Sequence, residues 1–95
     1  MAIRVLIRRE IEPAYAAQLH QTLLRLRARA MRQRGYISGE TLRSLENPDE
    51  FLVISTWDKL EDWTLWENNP ERRQIQEEIA GCLRRPEETT LYGYS

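Results

Sequence analysis

The chain has 95 residues with 14 basic and 15 acidic side chains and a single histidine, for a formal net charge of −1. One domain over residues 1–95 is expected, and a chain of this size buries only ~60–65% of the surface it exposes when unfolded, so it gains stability from any further surface covered by association. No apolar run approaches the ~20 residues of a membrane span, and the eight arginines among the first 35 residues are offset by an acidic remainder; no membrane and no nucleic-acid partner is expected.

Ala2 to Arg9, AIRVLIRR, reads as a first strand with Ile3, Val5 and Ile7 on one face and Leu6 among arginines on the other. The interleaved arginines leave no continuous apolar core for a secretory leader, and Cys82 has no second cysteine to pair with. A cytoplasmic protein is expected, with Cys82 a small buried apolar side chain. Pro13 at a first helical position and Gly35 just past a last one bracket a long helix. Its apolar stripe is Ala16, Leu19, Leu23, Leu26 and Ala30. Arg25, Arg29 and Arg32 outline a solvated helix face, or one attracted to an acidic partner surface. Tyr36 to Leu45 is a second strand, ended by the turn Glu46-Asn47-Pro48-Asp49.

Phe51 to Trp57 is the third strand. Phe51-Leu52-Val53-Ile54 is apolar at both parities, so both faces of this strand must be covered. Asp58 is placed to cap the next helix, with Glu61 three residues on as in a capping box. Asn68-Asn69-Pro70 stops that short helix and opens another, with Asn69 as N-cap, Pro70 at the first helical position and Ile75 and Ile79 as its anchor before Gly81. Arg84-Arg85-Pro86 is a loop, and Thr89 to Tyr94 a last strand in which Gly93 marks a bulge or a close approach of another backbone. The order is β-α-β-β-α-β, an α+β ferredoxin-like arrangement with an antiparallel sheet and strands one and three in its middle. Helices shield one face of such a sheet, so the other is expected to meet a second sheet, that of another copy, giving a homodimer.

The run Val53 to Ile75, VISTWDKLEDWTLWENNPERRQI, resembles the antibiotic biosynthesis monooxygenase (ABM) domain family: a strand ending in Trp, a short acidic-aromatic helix with Trp63 and Trp66, and Asn-Pro-Glu-Arg opening the next helix. The resemblance implies a dimeric α+β barrel. It also implies one of three kinds of member: cofactor-independent oxygenases of quinols or polycyclic phenols, haem-degrading enzymes, or proteins with no assigned reaction. The haem-degrading members resemble one another in an Asn on the first strand, a Trp on the short helix and a His about ten residues later. Trp66 matches the Trp, but Gln76 stands at the expected His position and the first strand holds no Asn. Haem is therefore disfavoured, and no cofactor is expected. With His20 the sole histidine, a His-rich metal site cannot be built from one chain either.

Oxygenation without metal or flavin requires the substrate itself to donate an electron to dioxygen, which phenolates and hydroquinone anions do far more readily than their neutral forms. The protein then supplies a dry pocket, a base and cations for the anion. His20 and Arg27 fall within the apolar arc of the first helix, facing the space between helix and sheet. His20 is the candidate catalytic base and Arg27 a partner for an oxyanion. The plainer alternative makes His20 a hydrogen-bonded boundary residue and lets Arg27 snorkel to water. Trp63, sharing a helical face with Leu60, and Trp66 either pack the core or line the pocket of a planar ligand; Tyr36, Tyr92 and Tyr94 either donate hydrogen bonds to a quinone oxygen or simply pack. No Gly-rich phosphate loop or cysteine pair is present. The sequence thus points to a small cofactor-independent monooxygenase-like protein acting on a phenolic or quinol-type aromatic substrate with dioxygen. The alternative is a non-catalytic dimeric module that binds a small aromatic ligand or a protein partner.

Overall fold

In the computed structural model, which describes all 95 residues, the alternating segment at the start forms strand β1 over Ile3–Glu10. A single 3-10 turn at Pro13–Tyr15 leads into helix α1, Ala16–Ala30. Strands β2, Tyr36–Arg43, and β3, Glu50–Trp57, form a hairpin, followed by the short helix α2, Leu60–Glu67, the helix α3, Pro70–Ala80, and strand β4, Glu88–Gly93. All strand pairs are antiparallel and the sheet order is β2-β3-β1-β4. The α+β ferredoxin-like arrangement is the one the sequence implies, with β1 and β3 central.

Register assigns the two faces. Val5 pairs with Ser55, Ile7 with Val53 and Arg9 with Phe51, and these residues face the helices. There Val5, Ile7 and Trp57 join Leu19 and Leu26 of α1, Trp63 and Trp66 of α2, Ile75 and Ile79 of α3, and Cys82, buried as expected, in one core. Residues of the other parity form the open face: Leu6 opposite Ile54, and Leu42 opposite Leu52. Leu6, Leu52 and Ile54 are half-buried, while Leu42 and Tyr92 are exposed. Ion pairs flank this apolar strip, Arg4–Glu40 at 3.8 Å and Arg8–Glu88 at 2.8 Å.

Asn69 caps α3 as its sequence implies, its side chain accepting from the Glu71 N–H at 2.8 Å. Asp58 does not cap α2. Lys59 occupies the N-cap in an extended conformation without a side-chain bond, because the Asp58 N–H is drawn to the Gly35 carbonyl at 2.7 Å. Glu61 and Asp62 nevertheless place carboxylates in the first turn, where the helix dipole favours them. Strand β2 ends at Arg43 rather than Leu45, since Ser44 Oγ accepts from the N–H groups of Glu46 and Asn47 and turns the chain early. Gly35 lies beyond a turn that follows α1 rather than directly after the helix, and at φ +83° it is the sole residue with a positive φ. A Cβ on Gly93 would meet nothing within 4 Å, so no backbone crowds it; the irregular register is in β2 between Tyr36 and Ser38. The acidic surface that meets Arg25 and Arg29 belongs to the same chain: they pair with Glu78 and Glu71 of α3.

Candidate active site

The parity that buries one face of β3 also builds a cavity. Phe51, Val53, Ser55 and Trp57 project toward the helices, but α1 does not close fully onto them, leaving about 640 Å³ between sheet and helices. Ile7 on β1, Leu23 and Ala30 on α1, and Trp63 and Trp66 on α2 complete the apolar walls. The indoles are fixed rather than loosely packed. Trp57 Nε1 donates to Ser55 Oγ at 3.0 Å, and the Trp57 ring meets Tyr36 edge-on at 5.4 Å and Trp63 at 5.7 Å.

All four residues singled out from the sequence line this cavity. Trp63 and Trp66 are buried in its wall. Leu60 is exposed, so the buried side of α2 is set by Trp63 and Trp66 and not by a Leu60–Trp63 pair. His20 and Arg27 are exposed at the rim, and Arg27 Nη2 donates across to the Gly39 carbonyl of β2 at 3.3 Å. Tyr36 also lines the cavity, whereas Tyr92 is exposed on the opposite face of the sheet.

The most buried polar groups of the cavity are two arginines absent from the sequence-based candidates. Arg9 is only 3% exposed; its Nε donates to Glu87 Oε1 at 2.9 Å and its Nη2 to Gln76 Oε1 at 3.4 Å. Arg72 is 7% exposed and stacks on Trp63, its guanidinium carbon 5.1 Å from the ring centroid. Burial pushes the Arg72 pKa below its ordinary value; nearby Arg9 acts in the same direction, and Glu87 and Glu67 oppose it. The buried Nε of Arg72 and the buried indole Nε1 of Trp63 both lack an acceptor within the chain. Both arginines were detectable in the sequence: Arg9 has the parity of Val5 and Ile7, and Arg72 lies three and seven residues before Ile75 and Ile79. No three His, Cys, Asp or Glu side chains gather into a metal-binding group.

A family model described as antibiotic biosynthesis monooxygenase matches residues 2–78. Among curated proteins, a 42.8 kDa protein in the whiE locus of Streptomyces coelicolor is 27% identical over 82 residues, a stretch that covers 86% of this chain and 21% of that protein. The chain thus spans about a fifth of the length of the curated relatives it matches. Among solved structures, a conserved protein from Methanosarcina mazei superposes with a TM-score of 0.94 at 19% identity, covering 100% of this chain and 94% of that one. SnoaB, a cofactor-independent oxygenase from Streptomyces nogalater, superposes with a TM-score of 0.86 at 16% identity, over 99% of this chain and 93% of its own.

Proposed function

The chain belongs to the antibiotic biosynthesis monooxygenase family, and from that premise we propose that it is a small cofactor-independent monooxygenase acting on a phenolic or quinol-type aromatic substrate with dioxygen. The observation that carries this reading is the cavity itself. Its volume lies in the ~300–1,000 Å³ range of small-molecule sites, its walls are aromatic and aliphatic, and an imidazole and a guanidinium stand at its rim.

In this reading the planar substrate lies among Trp57, Trp63 and Trp66. His20 accepts the phenolic proton, since imidazole is the side chain whose ordinary pKa suits a base near neutrality, and Arg27 holds the oxyanion. The anion gives electrons to dioxygen. Over the whole reaction a ring C–H carbon takes one oxygen atom and, with the phenolic carbon, ends as a quinone carbonyl pair; the other oxygen leaves as water with the ring and phenolic hydrogens, so the substrate supplies all four electrons. No haem or other cofactor enters this reading; Gln76, at the position where the haem-degrading relatives are similar in having a His, is held by Arg9.

We also take the open sheet face to be covered by a second copy, making a homodimer through that face, because Leu6, Leu42, Leu52, Ile54 and Tyr92 otherwise leave an apolar strip in water. No helix is long and apolar enough to cross a membrane, and an unpaired, buried Cys82 suits a reducing cytoplasm.

One observation favours a second reading, a non-catalytic dimeric module that binds a small aromatic ligand or a protein partner: His20 is exposed. Dioxygen uptake by the purified protein with a panel of hydroquinones and polycyclic phenols separates the two. A catalyst consumes dioxygen above the buffer rate, and His20→Ala slows it by ~10²-fold or more near neutral pH, with partial recovery at high pH where the substrate ionises unaided. Uptake no faster than buffer across the panel refutes the enzyme, and an unaltered rate for His20→Ala at every pH removes the base assignment.

A further inference from the structure

Two guanidinium groups are buried against one small cavity, and the chain provides a bonded carboxylate for only one of them. Glu87 is taken by Arg9 at 2.9 Å. Arg72 has a buried Nε without an acceptor, and it sits in the first turn of α3, where the positive end of the helix opposes a cation. The acidic residue of that turn, Glu71, is directed away to Arg29 at 3.2 Å. Beside Arg72, the Trp63 indole carries a second buried donor that no protein group accepts. A water molecule in the cavity would satisfy either N–H but supplies no charge, and Glu87 and Glu67 act on Arg72 only through space, neither bonded to it. A buried cation with no carboxylate bonded to it is among the costlier features a fold can keep.

We propose that Arg72 and the indole N–H of Trp63 form an anion site in the cavity wall, and that the aromatic molecule bound there carries a carboxylate. This rests on the reading that the cavity takes an aromatic ligand. The cation left without a bonded carboxylate is a single one, with two acidic side chains near it, which suits a monoanionic carboxylate and not a phosphate dianion. A guanidinium edge matches two carboxylate oxygens, and the indole adds one neutral donor. Arg72 thereby becomes a specificity-determining residue. It anchors one end of the ligand while the ring extends over Trp57 and Trp66 toward the rim where His20 stands.

The test is isothermal titration calorimetry with two probes of the same shape, 2-naphthoate and its uncharged amide, 2-naphthamide. Naphthoate is expected to bind the native protein about 10–100-fold more tightly, the range for hydrogen bonds to charged groups. In Arg72→Gln that preference falls to within about threefold while naphthamide affinity is kept; in Trp63→Phe, which retains the ring and removes the N–H, naphthoate weakens by about fivefold. Equal binding of the two probes by the native protein, a comparison that needs no variant to fold, overturns the anion site and leaves the aromatic pocket standing. Failure of either probe to bind overturns both. A preference that survives Arg72→Gln overturns the assignment to Arg72.

Discussion

Gly35→Ala is the substitution whose cost is most directly worked from the geometry. At φ +83° an L side chain pays ~1–2 kcal/mol for the left-handed conformation alone. The new methyl would also sit 2.1 Å from Oδ2, 2.3 Å from Cγ and 2.5 Å from Cβ of Asp62. Three atoms of one buried side chain cannot all withdraw, so α2 must shift and the Arg34–Asp62 bond at 3.0 Å breaks. Arg34 is mostly exposed, and that bond adds no more than ~1 kcal/mol. Displacing α2 adds ~1 kcal/mol, the low end for overpacking, so the sum is about 3 kcal/mol, or a melting temperature lower by ~12–24 °C for a domain of this size. The assay is a double-mutant cycle by urea unfolding with Asp62→Gly, because Asp62→Ala would keep the clashing Cβ. In the Asp62→Gly background Gly35→Ala is expected to cost only the ~1–2 kcal/mol of the backbone, leaving a coupling of ~1–2 kcal/mol. Equal costs in both backgrounds would refute the reasoning that Asp62 fills the space a side chain at position 35 needs.

Sedimentation equilibrium at micromolar concentration is expected to give twice the 11.3 kDa subunit mass, and Leu52→Arg, at the centre of the apolar strip beside Arg8, to return it to the subunit mass; a native protein at subunit mass would sink the homodimer. Glu87→Gln strips the counter-charge from Arg9 and is expected to cost about 3 kcal/mol in urea unfolding, while strengthening binding of 2-naphthoate, since neither cavity arginine then has a bonded carboxylate. Weaker naphthoate binding in that variant would mean that Glu87 orients the ligand instead of competing with it.

The arrangement of elements was legible because its signals are local and periodic. The both-parity run at Phe51 to Ile54 marks a central strand, and Asn69-Pro70 carries the chemistry of a helix start on its own. Asp58 shows where local chemistry stops: it is a good cap by composition, but a tertiary bond from its N–H to Gly35 holds it one residue before the cap position, and nothing near it in sequence announces that bond. Arg9 and Arg72 escaped for another reason. Charge is ordinarily a sign of solvent, so their place in buried periodic stripes was outweighed, although the stripes themselves named them. The same periodicity puts His20 and Arg27 on the helix arc that faces the cavity, but an arc carries no depth, and the structure sets both at the rim.

Helix α1 is fastened unequally along its two flanks. Toward α3 it is clasped by two ion pairs, Arg25–Glu78 and Arg29–Glu71; toward β2 the polar link is one long hydrogen bond from Arg27 to Gly39. The seam beside β2 is therefore the one with fewer polar ties, and it is there, between α1 and β2, that the cavity has its rim at His20 and Arg27.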